Sequence, residues 1–289
     1  MGITLLRKAK LMGISMVRML ALTGAMAGWI MAATPAAAGT LFIGTDTEEF
    51  GNVGISYLVK ATVNGANFVS QTNIQLTYPL NGLGDGPGFL YAGDPNTNTL
   101  RTIDYNGTLL TSVSGGFPNT CCNEEMQFAD GKLYHAHYAD TIQQINPSTG
   151  AVIQTFAQSN VVGLALVGGT IWITNWDAKQ VGTWDPSTNT FAPIFTTPQL
   201  AGALAYDPDS GILWVGQLGG QVVPYTLGGV ALNAGFNPIV PLNLGVTIDT
   251  VDGLTFLGEG TQLVPEPAML SLFGIALAGL GFLRRKRTV

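Results

Sequence analysis

"VVGLALVGGTIWITNWDAKQVGTWDPSTNTFAPIF", from Val161 to Phe195, holds one complete structural unit. A small apolar run, Gly163 to Leu166, comes first, and a glycine turn follows it. Ile171 and Trp172 begin an aromatic run. A third run ends at Trp184-Asp185 before Pro186-Ser187-Thr188-Asn189, and a fourth carries Phe195. Runs this short, divided by Gly, Pro and Asn, predict four β-strands. In the Asp-Pro-Ser-Thr turn, proline presets φ and asparagine accepts the left-handed position.

The same grammar recurs in "NEEMQFADGKLYHAHYADTIQQINPSTGAVIQTF" (Asn123 to Phe156), in Leu200 to Leu232, and more loosely in Gly84 to Val113. The glycines before each aromatic run are Gly88, Gly131, Gly169 and Gly211, at intervals of 43, 38 and 42 residues. Four strands in about 40–45 residues is the period of a propeller blade. One blade cannot cover both its faces, so blades pack around an axis. A β-sandwich does not explain the period.

The ends of this body supply the closure. "VDGLTFLGEG" (Val251 to Gly260) reads as a first strand and turn that then stops. "GTLFIGTD" (Gly39 to Asp46) reads as an aromatic second strand with no first strand before it. Together they make one blade shared between both ends of the body. The expected fold is therefore all-β, a propeller of about five four-stranded blades. These fall at 251–263 with 39–73, then 74–118, 122–159, 160–198 and 199–245. The Pro- and Asn-rich residues 233–247 leave room for a sixth. No helix longer than two turns is expected inside 39–262. "NGLGDGPG" (Asn81 to Gly88) reads as a loop. Trp172, Trp176, Trp184 and Trp214 read as packing between blades. The layout resembles NHL-like, streptogramin-lyase-like and YVTN-type propeller repeats.

Residues outside this body have other signatures. Arg7, Lys8, Lys10 and Arg18 precede an apolar run, Met19 to Ala33, and Ala36 and Ala38 fit the A-x-A pattern. This predicts a signal peptide over 1–38, taken by the Sec translocon and cut by signal peptidase before Gly39. The tail, 264–289, has Val264-Pro265-Glu266-Pro267, sixteen uncharged residues, then Arg284-Arg285-Lys286-Arg287. Sixteen helical residues rise about 24 Å, slightly less than a ~30 Å hydrocarbon core. The basic cluster would hold the end of such a helix in the cytoplasm.

Those three parts resemble the PEP-CTERM sorting signal of Gram-negative bacteria. The resemblance implies an exported chain, held transiently at the inner membrane. Its partner would be an exosortase that removes the tail, and its destination the cell surface or the extracellular matrix, in biofilm and with extracellular polysaccharide. It covers only the tail and implies nothing about what the body does.

Between residues 39 and 264 stand four cations, Lys60, Arg101, Lys132 and Lys179, against seventeen acids, a net charge of −13. A body so acidic excludes nucleic acid as a partner, because affinity there rests on cations at phosphate. It equally disfavours anionic membrane surfaces, leaving the tail helix as the membrane contact. Cys121 and Cys122 are adjacent, in an exported chain that permits disulfides; a vicinal disulfide and two loop thiols both remain open.

Chemistry is sparse. His135 and His137, the two histidines of the chain, share one face of a strand in "LYHAHYAD". With Asp140, Glu124 or Glu125 they form a candidate metal set, or an acid–base pair. Asp46 with Glu48, and Asp207 with Asp209, are candidate Ca2+ ligands in turns; no other cofactor is expected. No nucleophile elbow and no phosphate-cradling loop is present. The function expected is a non-enzymatic surface or matrix protein whose propeller binds polysaccharide or protein. A propeller lyase or hydrolase using His135 and His137 is the alternative, and an inert spacer a third.

Overall fold

Asn189 adopts φ +52° and Gly150 +70°, the left-handed positions assigned to the two Pro-Ser-Thr turns. In the first, the Asp185 carboxylate accepts the Ser187 N–H at 2.8 Å and the Thr188 hydroxyl at 3.0 Å. In the second, the Asn146 side chain accepts the Ser148 N–H at 2.9 Å. Each turn reverses the chain between the third and fourth strands of a sheet. The computed structural model describes residues 38–45, 56–94, 97–117, 123–137, 141–243, 251 and 253–260.

Five antiparallel sheets follow one another. The first contains β1 (Gly39–Thr45), β2 (Ser56–Asn64) and β3 (Asn67–Leu76). Blade 2 runs from β4 (Leu83–Asp85) through β5 (Leu90–Asp94) and β6 (Thr99–Ile103) to β7 (Leu109–Ser114). Blade 3 has β8 (Asn123–Ala129), β9 (Lys132–His137), β10 (Thr141–Ile145) and β11 (Val152–Ala157). Blade 4 has β12 (Val161–Val167), β13 (Thr170–Asn175), β14 (Gln180–Asp185) and β15 (Thr190–Thr196). Blade 5 has β16 (Ala201–Asp207), β17 (Ile212–Gln217) and β18 (Gln221–Tyr225). Last, β19 (Gly253–Phe256) pairs antiparallel with β1 and completes blade 1, in the order β19-β1-β2-β3. The innermost strands, β4, β8, β12, β16 and β19, neighbour one another in that cyclic order, and β19 meets β4 to close the ring.

One apolar cluster fills each gap between blades, which is why every blade needs both neighbours. Phe42, Leu58 and Leu90 lie between blades 1 and 2. Tyr91, Phe117 and Met126 lie between 2 and 3. Trp184 meets Tyr134 and Phe156 edge-on between 3 and 4. Trp172 and Tyr225 serve 4 and 5, and Trp214 serves 5 and 1.

Three details correct the reading of the sequence. The glycine-rich stretch 81–88 is not all loop, because β4 lies within it. Inner strands crowd at the axis, and a Cβ on Gly84 would stand 2.5 Å from the Met126 carbonyl oxygen. Blade 5 has three regular strands; its outer position is taken by residues 231–236, joined through the isolated bridges Val222↔Phe236 and Tyr225↔Ala231. No sixth sheet occurs among the described residues, and Val240–Leu242 is a 3-10 turn. Trp176 is half-buried in the turn after β13, where its backbone N–H donates to the Asn160 carbonyl. Among the described residues no helix is long and apolar enough to cross a membrane. The predicted signal and tail helices lie outside those residues.

Gly163 on β12 tests the crowding at the axis. A Cβ there would stand 2.4 Å from the Gly202 carbonyl oxygen of β16, which is backbone and cannot swing aside. Gly163→Ala is expected to lose about 1–3 kcal/mol of stability through overpacking, read by denaturant unfolding; an unchanged midpoint would show that the inner strands can part.

Candidate functional site

Pairing registers align the five blades residue by residue. Met126, Leu164, Leu204, Leu83 and Leu254 occupy one equivalent inner-strand position, opposite His135, Ile173, Val215, Ala92 and Ile43. The residue before each is Glu125, Gly163, Ala203, Gly82 and Gly253. Four blades therefore place a small residue next to the axis, and blade 3 alone places a carboxylate. Irregularities in β8, β12 and β16 fall at this step.

Glu125 extends into the room the small residues leave. Its carboxylate accepts the N–H of Leu164 at 2.6 Å, of Leu204 at 2.7 Å and of Leu254 at 2.9 Å. One side chain from blade 3 thus binds backbone of blades 4, 5 and 1. Glu259, just after β19, accepts the N–H of Leu166 at 2.8 Å and of Phe256 at 3.0 Å. Asp85, on β4, accepts the N–H of Gly258 at 2.9 Å and the Tyr105 hydroxyl at 3.2 Å. All three residues are fully buried.

Burial dominates their titration. It pushes Glu259 up to about 8 and Asp85 up to about 6, against the backbone N–H groups that favour the anions. Glu125 is raised well above the usual carboxylate range by the same desolvation, opposed by its three N–H donors and reinforced by the nearby Glu259. Glu125, one of the candidate metal ligands beside the histidines in sequence, instead gives its oxygens to the backbone of three other blades.

The histidines stand elsewhere, on β9 between blades 2 and 3. His135 is fully buried, against the Phe117 ring at 4.9 Å, and His137 is 5% exposed. Across the strand pair, Gln143 faces His135 and Thr141 faces His137. Burial first, then the neighbouring His137, lowers His135 to about 3, so that ring is neutral near pH 7; burial lowers His137 as well.

Asp207 meets a local need: its carboxylate accepts the Asp209 N–H at 3.0 Å and bonds the Ser210 hydroxyl, holding the turn before β17. Among the described residues no three His, Cys, Asp or Glu side chains stand close enough to share an ion. Asp46, Glu48, Cys121, Cys122, Asp140, Ala36 and the sorting residues Val264 to Pro267 and Arg284 to Arg287 lie outside the described residues, as does the side chain of Glu124. Ala38 is described, and Gly39 begins β1. The axial carboxylates escaped the sequence reading; the signal was the Glu-for-small exchange, visible once inner strands are aligned.

Fold and axis define a five-bladed propeller closed at its centre by its own carboxylates. Residues 263–287 match the PEP-CTERM protein-sorting motif, so the chain is an exported protein processed by an exosortase and held transiently at the membrane. No curated protein matches the chain. Among solved structures it resembles glutaminyl cyclase of Myxococcus xanthus, at 16% identity over 56% of this chain and 81% of that one, TM-score 0.43. It also resembles a Bacteroides caccae protein of unknown function, at 10% identity over 76% and 99%, TM-score 0.49. The computationally designed Ika4 protein is similar at 18% identity over 55% and 100%, TM-score 0.37.

Proposed function

We propose that the propeller is a non-catalytic binding module for the cell surface or matrix, whose rim takes an uncharged extracellular polysaccharide. One observation carries this reading. The outermost strands β3, β7, β11 and β15 contain no Asp, Glu, Lys or Arg, in a body of net charge −13. They are mostly exposed and present Ser70, Thr72, Thr111, Ser112, Gln154 and Thr155 beside Val69, Leu110 and Ile153. Hydroxyls and amides beside aliphatic surface suit a neutral glycan. Exposed edge strands ordinarily carry charges that repel partners, and these do not.

Burial supports a non-enzymatic role. A glycosidic oxygen must come within hydrogen-bond reach of its acid or base, and His135 offers no surface to a polymer. The axial carboxylates are engaged by backbone.

Affinity electrophoresis tests the reading. The exported protein should be retarded in gels containing a neutral glucan and not in gels containing a polyuronate, with little dependence on salt. Converting Thr72, Thr111 and Thr155 to lysine should abolish the retardation while leaving the melting temperature nearly unchanged. Equal mobility in all gels, or retardation that survives the three lysines, would refute it.

A further inference from the structure

We propose that His135 and His137 form a binding site for one divalent transition-metal ion of the Zn2+ or Cu2+ type, between blades 2 and 3, with the Gln143 side-chain oxygen as third donor. The inference stands apart from the rim.

It rests first on orphaned polar atoms. Nε2 of His137 and Oγ1 of Thr141 are buried without a hydrogen-bond partner among the described residues, and by strict geometry so are both nitrogens of His135 and Oε1 of Gln143, although the Gln143 side chain stands near enough to His135 to favour its protonated form. They gather on one face of β9 and β10, where His135 lies opposite Gln143 and His137 opposite Thr141. A buried polar group left unpaired costs about 1–3 kcal/mol, so such a concentration points to an occupant.

The other blades supply the contrast. At the position of His135 they carry Ile43, Ala92, Ile173 and Val215, all aliphatic. At the position of His137 they carry Thr45, Asp94, Asn175 and Gln217, polar like His137, and each is satisfied. The Tyr57 N–H donates to the Thr45 hydroxyl at 3.1 Å. Asp94 pairs with Arg101, the counterpart of Gln143, at 2.8 Å. Asn175 donates to the Ser159 carbonyl and accepts the Ala178 N–H. Gln217 donates to the Tyr225 hydroxyl. Packing is thus served by an aliphatic residue in four blades, and blade 3 has there a neutral imidazole, with one lone pair and one N–H, buried instead.

Chemistry selects the ion. Neutral imidazole is a ligand for zinc, copper and their neighbours, whereas Ca2+ requires six to eight oxygens. The two ring centroids lie 6.3 Å apart. With metal–nitrogen distances of about 2.0–2.1 Å, two rings sharing an ion stand that far apart only when their nitrogens lie nearly opposite across it, so a tetrahedral site requires the rings to draw closer on binding.

The test uses the exported full-length protein after chelation, with Zn2+ and, as a coloured probe, Co2+. It should take up one ion per chain with a rise in melting temperature, and Co2+ should give the absorption of imidazole ligation. His135→Val, which restores the residue class of the other blades, should weaken binding by more than about 100-fold, beyond the loss of a supporting residue. It should fold and melt independently of metal. His137→Asn, copying Asn175, gives the same comparison should the valine variant not fold. Failure of the chelated protein to take up either ion would mean that water fills the site, and would overturn the proposal. Wild-type affinity in both variants would place the ion elsewhere and overturn it equally.

Discussion

Glu125→Ala is expected to lower the melting temperature by roughly 10–20 °C, the largest effect of any single substitution considered. The change leaves the N–H groups of Leu164, Leu204 and Leu254 buried and unpaired, on three different blades. At about 1–3 kcal/mol for each orphaned donor, the loss reaches about 3–9 kcal/mol, comparable with the whole stability of an ordinary domain. For a body of this size each kcal/mol corresponds to about 2–4 °C. Glu125→Gln should fall between, since one oxygen remains to accept and the new NH2 group faces an N–H. Calorimetry decides: a shift of only a degree or two in the alanine variant would mean that the axis does not depend on this staple.

The second large effect concerns pH. Glu259 and Asp85 titrate near 8 and 6 in the folded protein, and Glu125 is raised too. In the unfolded chain such groups titrate near 4. Between those values the folded state binds more protons than the unfolded one, so stability falls as pH rises. The contribution is fully present below about pH 4 and is lost progressively towards pH 8. His135 and His137, lowered by burial, act oppositely below the ordinary histidine pKa of about 6.5, where the unfolded chain binds the extra protons; Asp104 and Asp185, lowered by hydrogen bonds, also oppose at the acid end, where their exposure makes them weak. The protein should therefore melt higher at pH 6.5 than at pH 8.5. Glu259→Gln should flatten the slope between pH 6 and 8.5, whatever it does to the baseline. A melting temperature that climbs over this range in the unaltered protein would contradict the assignment.

Much of the fold was legible because propeller blades repeat. Gly131, Gly169 and Gly211 mark turns at matching places, and the Pro-Ser-Thr turns adopt the backbone their residues dictate. Closure was legible because Val251 to Gly260 looks like a first strand without followers. Blade 5 was less so: residues 231–236 make only two bridges, and Asn- and Gly-rich sequence reads alike as loop or frayed strand. β4 was hidden in glycine, since crowding at an axis selects against side chains and erases the alternation by which strands are recognised. At the site, His135 and His137 were visible as an i, i+2 pair, but their burial and missing partners depend on blade 2. Glu125 looked like a companion of the histidines by proximity along the chain. Its true neighbours are 39, 79 and 129 residues away, and no local pattern encodes such distances.

The pairing of β19 with β1 makes completeness a condition of folding. During synthesis the apolar strand Leu41 to Thr45 emerges early and keeps a bare edge until residues 253–260 arrive to cover it. A truncated or stalled polypeptide would show proteases and chaperones that uncovered edge, and would lack Glu259 as well. The sorting motif starts only three residues beyond Gly260, so trimming there spares the clasp, whereas trimming a few residues further in would unfasten it.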